Sequence, residues 1–179
     1  MNRRRLLDTL YDGAAYLAAA FVFAIFAVMI GATVLRELGM RTGGTDDLVA
    51  WFCAAAGFLA MAHTFRHGDF VRVVLLLDRL GERRARQFEI VALVIGSLFV
   101  SFLAWAAALF VYESWEFGDI ANGLIPIPLW IPQSSFVFGT LLLLAAIVEE
   151  LISVVRGHRP SYVVAAEERH TRGDFSEDI

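Results

Sequence analysis

RHGDFVRVVLLLDRLGERRARQ, residues 66–87, is the stretch around which the rest of the chain arranges itself. It holds Arg66, Arg72, Arg79, Arg83, Arg84 and Arg86, six of the 15 basic residues in the protein. Its only apolar run, residues 73–77, is far shorter than the roughly 20 residues needed to cross a hydrocarbon core. Apolar segments of membrane length lie on both sides. A connector that is basic and half apolar belongs on the cytoplasmic side of a membrane. The same pattern suits a helix lying in the membrane plane between two spans.

Working outward, the apolar stretches predict four spans at about 11–35, 48–65, 88–112 and 130–155. Each backbone N–H and C=O inside lipid must be satisfied within its own segment, so the spans are expected to be helical. The alternating pattern of a membrane β-strand is absent. Arginine placement gives the orientation. Arg3, Arg4 and Arg5 precede the first span, and Arg156, Arg159, Arg169 and Arg172 follow the last. The connector after the first span has only Arg36 and Arg41 against Glu37, Asp46 and Asp47, and the third connector has acids but no arginine. Both termini are therefore expected in the cytoplasm. Tyr112, Trp115 and Trp130 flank the third connector, as an aromatic belt at the outer interface would.

Composition agrees. The chain is 58% hydrophobic and 19% charged, where a soluble domain carries about 25% charged residues. The start, MNRRRLLDTLYDG, has the charge of a signal peptide. The apolar run at 14–35 exceeds the roughly 7–15 residues of a signal core, so it reads as a retained span. Residues 1–155 are expected to form one four-helix domain, and the polar residues 156–179 a flexible cytoplasmic tail. The third connector, containing GLIPIPLW at 123–130, is apolar yet proline-rich. It is expected to pack on protein, dip into the interface, or simply form a tight turn before the last helix.

Few residues could carry chemistry. Asp8, Asp12, Glu89, Glu113, Glu149 and Glu150 all fall near span ends, and span centres are uncharged. His63 and His67 share a helical face, but no other span offers a histidine to complete a haem site. Glu149 and Glu150 read as a structural ion pair with Arg156 or a connector arginine, or as solvated acids, in preference to a transport site. The lone Cys53 reads as a small buried packing residue. Cys53, Ala56, Gly57 and Ala60 in the second span, and Gly96, Ser97 and Ser101 in the third, form small-residue stripes. Such stripes serve packing inside the unit or docking on a second protein. No phosphate-binding loop, nucleophile–base pair, metal-ligand spacing or nucleic-acid footprint occurs. The chain is not expected to be an enzyme.

Several motifs together resemble the small membrane subunit (DctQ-like) of tripartite ATP-independent periplasmic transporters. They are Arg36, then Asp47-Leu48 with Trp51, then Gly57. Arg66-His67-Gly68-Asp69-Phe70-Val71-Arg72-Val73 follows, with Leu75-Leu76-Leu77-Asp78-Arg79-Leu80 after it, and finally Ile125 through Pro132. The resemblance covers roughly residues 11–156. Phe70, Val74 and Asp47 depart from the residues usual in the family, which favours roles in shape over roles in chemistry.

The resemblance implies a non-catalytic scaffold in the bacterial inner membrane. Its partners would be a large multi-span permease subunit that uses a sodium gradient, a periplasmic binding protein that delivers an organic acid, and membrane lipids. No cofactor and no nucleic acid are implied for this chain. Arg36, Asp47, Trp51, Arg72, Arg79, Trp130 and Glu149 are the expected partner or lipid contacts. Two rival readings are a haem- or quinone-binding anchor of a redox complex and a self-assembling channel or porter.

Overall fold

A computed structural model describes residues 3–40, 42–67, 82–123 and 125–157. Four helices account for most of them: α1 (Arg3–Glu37), α2 (Thr45–His67), α3 (Glu82–Glu116) and α4 (Trp130–Val155). All four are long and apolar enough to cross a membrane. The helices at the two ends of the array outrun the apolar segments read from the sequence. At 1.5 Å per residue, a helix of 35 residues is roughly 50 Å long, against about 30 Å of hydrocarbon. Hydropathy marks only the part that prefers lipid; the backbone hydrogen bonds continue into polar flanks. The expected in-plane helix within 66–87, and the tail beyond residue 157, lie outside the described residues.

The helices form an open row. α1 packs on α2, α2 on α4, and α4 on α3, while α1 and α3 are the outer members. This is not a closed bundle, in which the first and last members of the row would also pair. The buried seams follow a seven-residue repeat. In α1 the stripe is Leu7, Tyr11, Ala14, Ala18, Phe21, Ile25, Val28 and Ala32, alternately four and three apart, with Ala15 and Ala24 half-covered beside it. In α3 the stripe is Ile90, Leu93, Ser97, Val100, Ala104, Ala107, Val111 and Ser114, with Glu89, Gly96, Leu103 and Ala106 half-covered beside it. A strict seven-residue stripe keeps one narrow face toward its neighbour and implies left-handed packing. Each outer helix thus commits one stripe to the protein and leaves the rest of its apolar circumference open, including Phe23, Phe26 and Met29 of α1.

Close approach in the middle of the row depends on small residues. Ala55, Ala56 and Ala62 are buried on α2. Gly139 of α4 lies against the backbone of Phe58 in α2, and the Phe58 and Phe136 rings sit 4.9 Å apart. The core between α3 and α4 is Leu93, Val100, Leu143, Ile147 and Val154. Thr140 is fully buried but gives its hydroxyl proton to the Phe136 carbonyl at 2.7 Å, so its hydroxyl is not stranded.

The sequence reading of Cys53 needs correction: it is exposed. Gly57 and Gly96 likewise have open space where a Cβ would stand. Of the second-span stripe, Ala56 is the buried member. The physical reason is angular. Ala55, Leu59 and Ala62 occupy the side of α2 turned to its neighbours, and Cys53 and Gly57 fall on the opposite side.

α1 and α3 end alike. Gly39 and Gly118 take φ of +77° and +64°, a left-handed conformation cheap only for glycine. The turns close by bonds such as Met40 N–H to Leu35 O, 3.0 Å, and Asp119 N–H to Ser114 O, 3.0 Å. The chain then crosses to α2 or α4 at the same end of the row.

Candidate partner and lipid interface

Among the described residues, charged side chains are confined to the end regions of the helices. At the end that holds residue 3, His67 and residue 157, three helices meet on Arg66. Its guanidinium donates to Glu149 Oε2 at 2.9 Å, with both side chains about three-quarters buried or more (21% and 24% exposed). The guanidinium carbon also stands 5.0 Å from the ring centre of Tyr11, which is buried at 1% exposure. Arg66 therefore ties α2 to α4 by charge and to α1 through an aromatic face. Tyr11 in turn packs with Ala62 and Ala146. The expected partner of Glu149, a connector arginine, is this one.

Next to this clasp, His63 Nδ1 is 3.3 Å from Asp12 Oδ1 without the alignment of a hydrogen bond. The His63 ring stacks on His67 at 3.9 Å, and His67 Nδ1 lies 3.0 Å from the His63 carbonyl oxygen. The histidines thus face each other along one helix and Asp12 on α1. Among the described residues, no three His, Cys, Asp or Glu side chains converge as metal ligands would.

Arg86 forms a second tie. Its Nε and Nη2 donate to the carbonyls of Val154 and Val155, at 3.2 and 2.9 Å. Val154 O also accepts from Gly157 N–H at 3.0 Å, whereas Val155 O is among the last carbonyls that a helix C-terminus leaves without an intrahelical partner, and a cation there complements the helix dipole. Both ends of the arginine-rich connector are consequently fastened to the last turns of α4. Replacing Arg86 with glutamine should cost about 1 kcal/mol. It should appear chiefly as faster amide exchange in residues 152–157, and unchanged exchange there would refute the tie.

At the opposite end the third connector folds back on itself. Ile120 and Pro128 form an antiparallel bridge. Ala121 N–H bonds to Ile127 O at 3.0 Å and Leu129 N–H to Asp119 O at 2.9 Å. This cap rests on the first connector: Ile125 covers Gly44, and Gly123 lies against the carboxylate of Asp47. Of the three sequence expectations for this loop, packing on protein describes Ile125. A methyl group at Gly123 would meet only the Asp47 carboxylate, the end of a side chain that can turn aside, so Gly123→Ala is expected to lower stability by less than about 1 kcal/mol. A shift in thermal midpoint would measure this, with Gly139→Ala, where the obstacle is backbone, as the comparison expected to lose more.

The other expected contacts fall as follows. Arg36 is exposed in the last turn of α1, Asp47 is half-buried in the first turn of α2, and Trp51 is half-buried one turn further. Trp130 opens α4 and is partly exposed. Arg72 and Arg79 lie outside the described residues. The structure groups Asp47 with the third connector and Glu149 with Arg66, at opposite ends of the row. Sequence reasoning missed Tyr11, Arg86 and Gly139. Tyr11 and Gly139 look like ordinary span residues, and only the seven-residue spacing that includes Tyr11 hints at its role.

Four long apolar helices with charge held at their ends define a small multi-pass membrane protein whose polar groups brace helices together. The family model described as tripartite ATP-independent periplasmic transporters, DctQ component, matches residues 25–157. The chain belongs to that family. Among curated proteins there is no match. The matched region begins inside α1 and runs to Gly157, so it includes Arg66, Arg86 and Glu149 but not Tyr11 or Asp12.

Proposed function

We propose that this chain is the non-catalytic small permease subunit of a tripartite secondary transporter. It scaffolds and stabilises the large membrane subunit during ion-coupled uptake of an organic acid delivered by a periplasmic binding protein. It sits in the bacterial inner membrane with both termini in the cytoplasm. The observation that carries this reading is the open row itself. Arg66, Glu149 and Arg86 hold helices together at one end, and a wide apolar surface on α1, α3 and α4 is left uncovered. Such a body widens and anchors a partner in the bilayer; among the described residues it offers no path of charged side chains through its centre, where transporters place their ion sites. Family membership supports the same partnership.

The test is gentle extraction of the tagged chain from its native membrane. A large multi-span permease should co-purify, and deletion of the chain should lower both the amount of that permease and uptake. Normal permease levels and uptake in the deletion strain would rule the scaffold role out.

A further inference from the structure

The cap at residues 117–131 carries an outward apolar surface that the helices leave open. Phe117 is 76% exposed, Trp115 63% and Ile120 55%, with Trp130 and Ile131 also uncovered. We propose that this cap is a bilayer anchor: Phe117, Ile120 and Ile131 lie among lipid chains at the membrane interface, and not in water. The inference rests on the spans crossing a membrane and is independent of the partner subunit.

Three features of the cap point to lipid as the occupant. Part of its backbone is self-satisfied. The N–H groups of Phe117, Gly118, Asp119, Ala121, Ile127, Leu129, Ile131 and Gln133 all donate within the loop or the adjoining turns. Pro126, Pro128 and Pro132 have no N–H at all. Groups bonded in this way lose little when water is withdrawn, whereas each stranded group would be penalised. Secondly, the exposed side chains continue the aromatic band formed by Tyr112, Trp115 and Trp130 at the ends of two spans, the residue types that settle at headgroup depth. Thirdly, the opposite side of the cap is held on protein through Ile125 over Gly44 and Gly123 against Asp47. Its outward face is therefore fixed. Glu116, Asp119 and Asn122 are exposed on the same segment, and carboxylates resist entering hydrocarbon. They set the depth at the interface, with only the apolar side chains reaching further.

The test uses the full chain with Cys53→Ala, carrying one of Phe117→Cys, Ile120→Cys or Asp46→Cys. Each is labelled with an environment-sensitive fluorophore and placed in phospholipid nanodiscs. Asp46 is exposed at the same end and serves as the aqueous reference. Labels at 117 and 120 should emit to the blue of the label at 46. They should be quenched by nitroxide-bearing lipids and be several-fold less sensitive to iodide. Iodide access equal to that at position 46 would place the cap in water and overturn the proposal. Lipid quenching that vanishes when the chain is purified with its permease would make the face a protein interface, and would overturn it equally. Failure of any permease to co-purify would count against the scaffold role while leaving this measurement intact.

Discussion

Gly139→Leu is expected to leave little folded protein. A Cβ at position 139 would stand 2.5 Å from the Phe58 carbonyl carbon and 2.7 Å from the Phe58 Cβ. The obstacle is the backbone of α2, so no side-chain rotation relieves it. α2 and α4 must separate along the central contact of the row, and the ring pair Phe58–Phe136 separates with them. Overpacking a core ordinarily costs about 1–3 kcal/mol. Moving two helices places this case at the upper end, about 3 kcal/mol or more, a large fraction of the stability of a typical domain. Recovery of monodisperse protein in mild detergent and the thermal midpoint both measure it. Gly57→Leu and Gly96→Leu are the controls, since open space surrounds both positions. They should fold within about 0.5 kcal/mol of the parent. If Gly139→Leu matched them, the α2–α4 contact would be wrong. If Gly57→Leu folded but no longer held the permease, the exposed stripe on α2 would be a docking face.

That contrast shows what one sequence can and cannot convey. The four spans were legible because lipid imposes length and apolarity on each segment separately. Which side of a span meets protein is a weaker signal, because lipid and a neighbouring helix accept the same side chains. Gly57, Gly96 and Gly139 look alike in sequence, yet only Gly139 touches another backbone. The seven-residue stripe from Leu7 to Ala32 could have marked the protein side of α1, since a period of 3.5 implies a partner helix. The row order could not be read in the same way. Nothing in the order of helices along the chain says that α4 lies between α2 and α3. The ends were easier: acids near span ends next to a basic connector made an ion pair for Glu149 legible. Its further link to Tyr11, 55 positions from Arg66 in the chain, depends on how α1 lies across α2.

Arg66→Ala is the second substitution expected to act strongly, by about 2 kcal/mol. Removing one member of a buried pair costs about 3–5 kcal/mol because the other is left charged and desolvated. Here the two side chains retain 21% and 24% exposure, and water relieves part of that penalty. Glu149→Gln should cost less, about 1 kcal/mol, since the amide oxygen still accepts from the guanidinium. Reversing the pair, with Arg66→Glu and Glu149→Arg together, should recover part of what either reversal loses alone, and a double-mutant cycle reads the coupling. The informative variant is Arg66→Lys. Lysine keeps the positive charge that orients the connector, so topology should be unchanged. It lacks the planar guanidinium that can face Tyr11 and bond Glu149 together. A purely topological role for residue 66 predicts that Arg66→Lys melts with the parent. A clasp joining three helices predicts a midpoint between those of Arg66→Ala and the parent. It also predicts that Tyr11→Leu, which removes the aromatic face, largely abolishes the difference between arginine and lysine.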